Sequence, residues 1–300
     1  MGYFYILIAL LAGCTKGYCG KKISNNITNF LSAIKVNFIR FFICTLFGFI
    51  VTLFTEGLPI ISIKTIPIFL ISGIAQAIFV ITWILAVKNC AYTTLDVFLM
   101  ISILIPTFLC RIFYSESINF LQWIGFIVLV VAMLIMCSYS NSINRRISPI
   151  TLFLVIICSF SNGIADFSQK WYLHATKATN VSTFNLYTFF FAMIILGVTL
   201  FFKKENKEDS SIKLSSCFVY ILIMAICLFL NSIFKTLAGK TLNSMQIYPI
   251  LQGLSMICSI IMSAVFFKEP IKKKSVLGMI IAFFGILLIG CSEYFIVIFE

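Results

Sequence analysis

The sequence predicts an all-α membrane protein: ten transmembrane helices arranged as two inverted five-helix repeats. Three observations lead there. First, the 300 residues are 61% hydrophobic and 11% charged, with a mean hydropathy of +1.09. A soluble domain carries roughly 25% charged residues, so this chain has too little polar surface to coat a globule in water, and lipid must solvate most of it. Second, ten apolar stretches approach or exceed the length of about 20 residues that crosses the hydrocarbon core. Third, the second half repeats the first. At an offset of 153, Phe113 falls on Phe266, Glu116 on Glu269, Ile118 on Ile271, Gly125 on Gly278, Ile127 on Ile280 and Leu134 on Leu287.

The first expected span is 3–20. Leu11-Ala12-Gly13-Cys14 imitates a lipoprotein cleavage site, but the residues from Met1 to Tyr5 carry no Lys or Arg, and a signal peptide needs a basic n-region. The myristoylation pattern also fails, because Ile6 stands where Ser or Thr is required. Gly13 and Gly17 flank Lys16 at the spacing that favours close helix packing. Span 2, 36–55, holds Arg40 one turn inside, within reach of the interface by snorkelling. Span 3, 66–88, places Gln76 and Trp83 seven apart. Span 4, 92–112, carries Asp96 in its first turn, where a helix N-terminus favours a carboxylate, and Pro106 further on. Span 5 is 118–139. The stretch from Ser140 to Pro149, with Arg145 and Arg146, is the seam between a first repeat, 1–142, and a second, 149–300, within one membrane domain.

Span 6, 149–172, carries Asn162, Asp166 and Gln169 at i, i+4 and i+7, one helical face. A polar stripe on a spanning helix must face protein or water, not lipid. Span 7 is 181–202. Span 8, 215–238, contains Asn231, with Lys235 close enough to its end to snorkel. Span 9, 242–267, has Pro249 and then Gln252, and span 10 is 275–298.

The duplication reaches beyond the last pair of spans. Thr52-Leu53-Phe54 matches Thr199-Leu200-Phe201 at 147, Ala86 and Lys88 match Ala238 and Lys240 at 152, and Lys22 matches Lys170 at 148. Five spans is an odd number, so the second half must enter the membrane upside down. Inverted repeats of this kind build a site near the midplane, between the halves. The motif Phe113-x-x-Glu116-x-Ile118-x6-Gly125, its copy Phe266-x-x-Glu269-Pro270-Ile271-x6-Gly278, and a Pro in the fourth span of each half resemble the EamA-type drug/metabolite transporters. The resemblance covers essentially the whole chain. It implies secondary transport by alternating access around a cavity formed by spans 1, 3, 4, 6, 8 and 9, and it leaves the substrate open.

Intramembrane ionisable residues are site candidates by default. Lys16 and Asp166 lie on repeat-equivalent spans, somewhat past the midplane from opposite sides, with an expected axial gap on the order of 10 Å. That gap suits a zwitterion held between them. It is also compatible with a Lys–Asp pair that ties the halves together, or with Lys16 snorkelling toward Lys21 and Lys22. Asn162, Gln169, Gln76, Trp83, Asn231 and Gln252 are expected nearby, lining a cavity or making single interhelical hydrogen bonds. Glu116 and Glu269 are expected to be structural, each capping the helix that follows and pairing with residues such as Lys272 to Lys274.

Other functions lack their residues. No GxSxG, HExxH, GxGxxG or Walker sequence is present, and the single His174 sits at the end of span 6. The 11 Cys include no CxxC pair and are scattered through apolar runs. No catalytic residue, metal or cofactor is therefore expected. The net charge of +12 gathers in short connections, which reads as topology signal and headgroup contact rather than nucleic-acid binding. The expected partners are a small-molecule substrate and membrane lipid, for a monomer or weak homodimer spanning a bacterial plasma membrane many times. Two rival functions are a lipid-acting membrane enzyme and a non-transporting partner protein. Fourteen basic residues fall in connections after odd-numbered spans and five after even-numbered ones. The positive-inside rule then puts both termini outside, whereas the resemblance implies termini inside.

Overall fold

A computed structural model describes residues 1–27, 29–59, 61–89, 92–140, 148–176, 180–202, 214–268 and 273–292. Arg145, Arg146, Glu269 and Lys272 lie outside the described residues, and with them the expected pairing of Glu269. The helices are α1 (Gly2–Ser24), α2 (Phe30–Thr55), α3 (Ile66–Asn89), α4 (Tyr92–Leu99), α5 (Leu104–Tyr114), α6 (Phe120–Ser140), α7 (Pro149–Ala175), α8 (Val181–Phe202), α9 (Leu214–Ala238), α10 (Ser244–Phe267) and α11 (Lys273–Gly290). No strand occurs among the described residues. Seven of these, α1, α2, α3, α7, α8, α9 and α10, are long and apolar enough to cross a membrane.

Local chemistry sets the boundaries. Helix α2 begins six residues before the expected 36 because Asn29 and Ser32 form a reciprocal cap. Asn29 Oδ1 accepts from Ser32 N at 2.9 Å while Ser32 Oγ accepts from Asn29 N at 3.0 Å. The span expected at 92–112 is not one helix. A 3-10 turn, Met100–Ile103, separates α4 from α5. Pro106 has no N–H to give the Ser102 carbonyl, and its ring crowds that carbonyl, so the α-ladder cannot run through.

Helix α1 packs on α9, α3 on α7, α2 on α8 and α6 on α11, while α4 and α5 lie against α7 and α10. This pairing is unchanged when each helix is exchanged with its partner in the sequence repeat: α1–α9 becomes α7–α3, α4 and α5 on α7 become α10 on α1, and the rest map onto themselves. One apolar core gathers Ile23, Ile34, Phe41, Ile84, Phe189 and Phe229 from α1, α2, α3, α8 and α9. A second gathers Met100, Leu129, Met256 and Ile286 between α6, α10 and α11. There α6 and α11 approach backbone to backbone, since a Cβ on Gly125 would lie 2.7 Å from the Gly285 carbonyl oxygen. Large apolar side chains such as Phe54, Ile112, Phe153 and Phe284 stand outward on the helices, as contact with acyl chains requires.

Candidate functional site

The break in α4 organises the middle of the molecule. Helix α7 is stitched to it. Asn162 Nδ2 donates to Ser102 Oγ at 3.0 Å, and Ser159 Oγ donates to the Phe98 carbonyl at 3.1 Å. Next to Asn162 a glycine, Gly163, is required, because a Cβ there would meet the Ser102 carbonyl oxygen at 2.6 Å. The carbonyl that Pro106 leaves without a helical donor thus lies against a bare backbone. Interrupted helices at this depth are found where they line protein or a cavity rather than lipid.

Beside the break is a cavity of about 80 Å³. Of the residues expected there, Lys16, Trp83, Asn162, Asp166, Asn231 and Gln252 line it, joined by Asp96, Ser102, Lys235 and Tyr248. Helices α1, α3, α4, α7, α9 and α10 contribute, so both halves supply walls. Gln76 and Gln169 do not line it. Gln76 is two turns before Trp83, roughly 10 Å along α3, and is buried away from the cavity with no partner for its Oε1 among the described residues. Gln169 belongs to a separate polar network. Its Nε2 donates to Ser232 Oγ at 3.3 Å, and Ser232 in turn donates to Asn185 Oδ1 at 2.5 Å, joining α7, α9 and α8.

The charges are arranged differently from the sequence expectation. Asp166 is not half of a gap facing Lys16; it is paired with Lys235 at 2.5 Å, both side chains buried. Lys235 therefore does not snorkel. Its stem turns inward, where the Asp166 carboxylate supplies the counter-charge that a buried ammonium needs. Tyr248 donates to the Asp166 carbonyl at 2.7 Å and fixes that turn of α7. Arg40 does not snorkel either: it is 3% exposed, its Nη1 lies 3.5 Å from Met224 Sδ, and its guanidinium stands over Phe41 at 5.5 Å. Lys16 has no ion-pair partner among the described residues, and its ammonium lies 5.9 Å from the Phe79 ring centroid. Asp96, a full turn inside α4, is 4% exposed, with Ser259 beside it and Oδ2 without a partner among the described residues.

Asn231 donates to the Ala9 carbonyl at 2.6 Å, tying α9 to α1, and Gly13 leaves it the room. The polar pattern on α9 was readable: Asn231 and Lys235 stand four apart, as Asn162 and Asp166 do on α7.

The acidic caps are structural, but they act across the halves. Glu116 does not cap the helix that follows it. It accepts from Ser244 N at 2.7 Å and from Ser244 Oγ, at the start of α10, and pairs with Lys170 at 3.1 Å. Lys170 also donates to the carbonyls of Gly239 and Leu242 at 3.3 and 2.7 Å. Glu56, which no motif marked, plays the same part for α8, accepting from Ser182 N at 2.6 Å and Thr183 N at 3.0 Å. Helix N-termini favour such carboxylates. His174 stacks on Tyr114 at 3.9 Å. No group of three or more His, Cys, Asp or Glu that could hold a metal occurs among the described residues.

Comparison with known proteins bears on this arrangement. The model of the EamA-like transporter family matches residues 149–291, which bears out the resemblance over the second half. No curated protein matches the chain. Among solved structures, 28 chains match. One, described only as the crystal structure of a protein, superposes with a TM-score of 0.74 at 8% identity, covering 96% of this chain and 95% of that one; at that identity the likeness is one of fold.

Proposed function

From a multi-pass membrane chain whose residues 149–291 match EamA-like transporters, we propose a secondary transporter that moves a small polar or amphipathic metabolite by alternating access. The two halves, related by a pseudo-two-fold axis in the membrane plane, rock around the cavity described above. The observation that carries this reading is the cavity itself. A charged, polar-walled space at the level of a helix break, with Lys16 and Asp96 from one half and Asp166 and Lys235 from the other, is what a solute site between repeats requires. Such groups would be costly as lipid-facing decoration, at least about 2.5–3.5 kcal/mol for each charge near the bilayer centre.

Each residue has a part in this reading. Asp166–Lys235 holds α7 to α9 and sets the floor. Lys16, Asn162, Asn231, Trp83 and Gln252 face the solute. Lys170 and Glu116 keep the turn after α5 on the start of α10. A bacterial plasma membrane is the proposed location, and no catalytic step is assigned. The test is solute exchange in proteoliposomes preloaded with a metabolite mixture. The wild-type protein is expected to exchange at least one labelled solute, and Lys16→Gln to exchange none. Failure of the wild-type protein to exchange any member of a broad panel overturns the reading.

A further inference from the structure

Helix α1 lies alongside α10 for most of its length, so that the first half meets the second along this seam. A Cβ on Gly2 would sit 2.6 Å from the Leu242 side chain, just before α10 begins. Further along, the Tyr18 ring lies 5.1 Å from Phe266 and 5.7 Å from Phe267. Between these points Cys14 of α1 meets Cys258 of α10, and the two thiols hydrogen-bond to one another. Both are free and half-buried, whereas Cys19, Cys44, Cys110, Cys158 and Cys217 are buried. The pair stands at the edge of the polar cavity. Gly13 and Gly17 line that cavity on either side of Cys14, and Ser255 lines it one turn before Cys258. A small polar molecule in the cavity is therefore next to the pair.

A single cysteine in a spanning helix packs as a small apolar residue. Two thiols in contact across an interface have a further chemistry. A disulfide needs side chains that face each other, with Cβ atoms about 3.5–4.5 Å apart, and a thiol–thiol hydrogen bond makes them face each other in this way. We propose that Cys14 and Cys258 are a peroxide-sensitive pair whose disulfide locks the first half of the chain to the second. One thiol sulfur gives an electron pair to an oxygen of hydrogen peroxide, the O–O bond breaks, and a sulfenic acid and a water form. The second sulfur attacks the sulfenic sulfur, the S–O bond breaks, and another water leaves. The two thiols have then lost two electrons and two protons, and the peroxide has taken them up to become two waters. A small thiol reductant reverses the change through a mixed disulfide. Rocking of the halves moves α1 against α10, so the oxidised protein is arrested. That arrest rests on the transport reading; the disulfide does not.

The test exposes the full chain, in detergent and in proteoliposomes, to hydrogen peroxide. Remaining thiols are blocked with N-ethylmaleimide, and the digested protein is examined by mass spectrometry with and without dithiothreitol. A linked pair of peptides carrying Cys14 and Cys258 is expected from the wild-type protein, and from neither Cys14→Ala nor Cys258→Ala. The link is expected to raise the melting midpoint by about 5 °C, because it closes a loop that includes most of the chain. Dithiothreitol should reverse the rise, and neither variant should show it. Solute exchange by the wild-type protein is expected to stop on oxidation and to recover with dithiothreitol, while Cys14→Ala keeps exchanging under peroxide. No linked peptides, oxidation of either residue to a sulfinic acid without a link, or a link between Cys19 and Cys227 in its place overturns the proposal. A Cys14–Cys258 link that leaves exchange running overturns the lock. A link formed in a protein that exchanges no solute before oxidation overturns the transport reading and leaves the disulfide standing.

Discussion

Lys21 stands in the first half where Lys170 stands in the second. Lys21 Nζ donates to the Val87 carbonyl at 2.8 Å, and Lys170 Nζ donates to the Gly239 carbonyl at 3.3 Å. Val87 and Gly239 are separated by the same 152 residues that relate Ala86 to Ala238. The same kind of contact, from the end of the first helix of a half to the end of its third, thus occurs twice. In the proposed inverted arrangement, with five spans in each half, the second copy of this contact falls on the opposite face of the membrane.

That relation makes orientation a measurable property. In that arrangement the face bearing the ends of α1 and α3 carries Lys21, Lys22, Lys35 and Lys88, while Lys170, paired with Glu116, lies on the other face. The positive-inside rule then predicts both termini outside. A reporter fused after Glu300 that works only in the cytoplasm is expected to be silent, and one that works only outside is expected to be active. The reverse pattern would favour the orientation implied by the family.

The Asp166–Lys235 pair is expected to stabilise the fold rather than bind solute. Removing one partner of a buried pair leaves an uncompensated charge, at a cost of about 3–5 kcal/mol. Asp166→Asn and Lys235→Met should each lower the unfolding midpoint in detergent strongly. The double variant should lose much less than the sum of the two, a coupling that a double-mutant cycle measures. Additive losses would show that the pair is not coupled.

Glu116→Gln removes the negative charge from both Lys170 and the start of α10. A loss of about 2–4 kcal/mol is expected, larger than the ~1 kcal/mol of an exposed helix cap, because Lys170 is left buried without its counter-charge. Combining it with Lys170→Met should recover part of the loss. Thermal unfolding of the three variants beside wild type decides this; a Glu116→Gln midpoint equal to wild type would remove the claim.

Arg40→Met is expected to raise stability. The guanidinium is buried, its nearest described acceptor is a thioether sulfur, and its Nε has no partner among the described residues. Replacing it with an apolar side chain of similar length should stabilise by about 1–3 kcal/mol, the order of cost for a charge held in the apolar interior. If Arg40 also supports the anionic end of a solute, exchange should fall in the same variant, so stability and exchange move in opposite directions.

The sequence carried the all-α membrane class because composition acts over the whole chain: a chain this apolar has few folds open to it. It carried the site less well. Asn162 and Asp166 were visible as a stripe, yet which cation would meet Asp166 depends on how α7 sits against α9, and no periodicity encodes that. Depth along a helix misled for Lys235 and Arg40, since distance to the interface says nothing about a carboxylate or an aromatic ring nearer by. The repeat was off by one at Lys22, because an ion's partner, not its neighbours in sequence, shows that Lys21 is the counterpart of Lys170. Glu56 escaped because a single acidic residue at a span end is ordinary until Ser182 and Thr183 are placed beside it.

The two carboxylates that cap helices of the other half set a timetable for biogenesis. Glu56 leaves the ribosome 126 residues before Ser182, and Glu116 precedes Ser244 by 128. At about 5–20 residues per second, each waits roughly 6–25 s at the membrane surface before its helix exists. During that interval the first five spans hold acidic groups with nothing to receive them, and α8 and α10 arrive already matched to them. A nascent chain halted between the halves should therefore be prone to capture by membrane quality control, and supplying residues 149–300 as a separate polypeptide should rescue it.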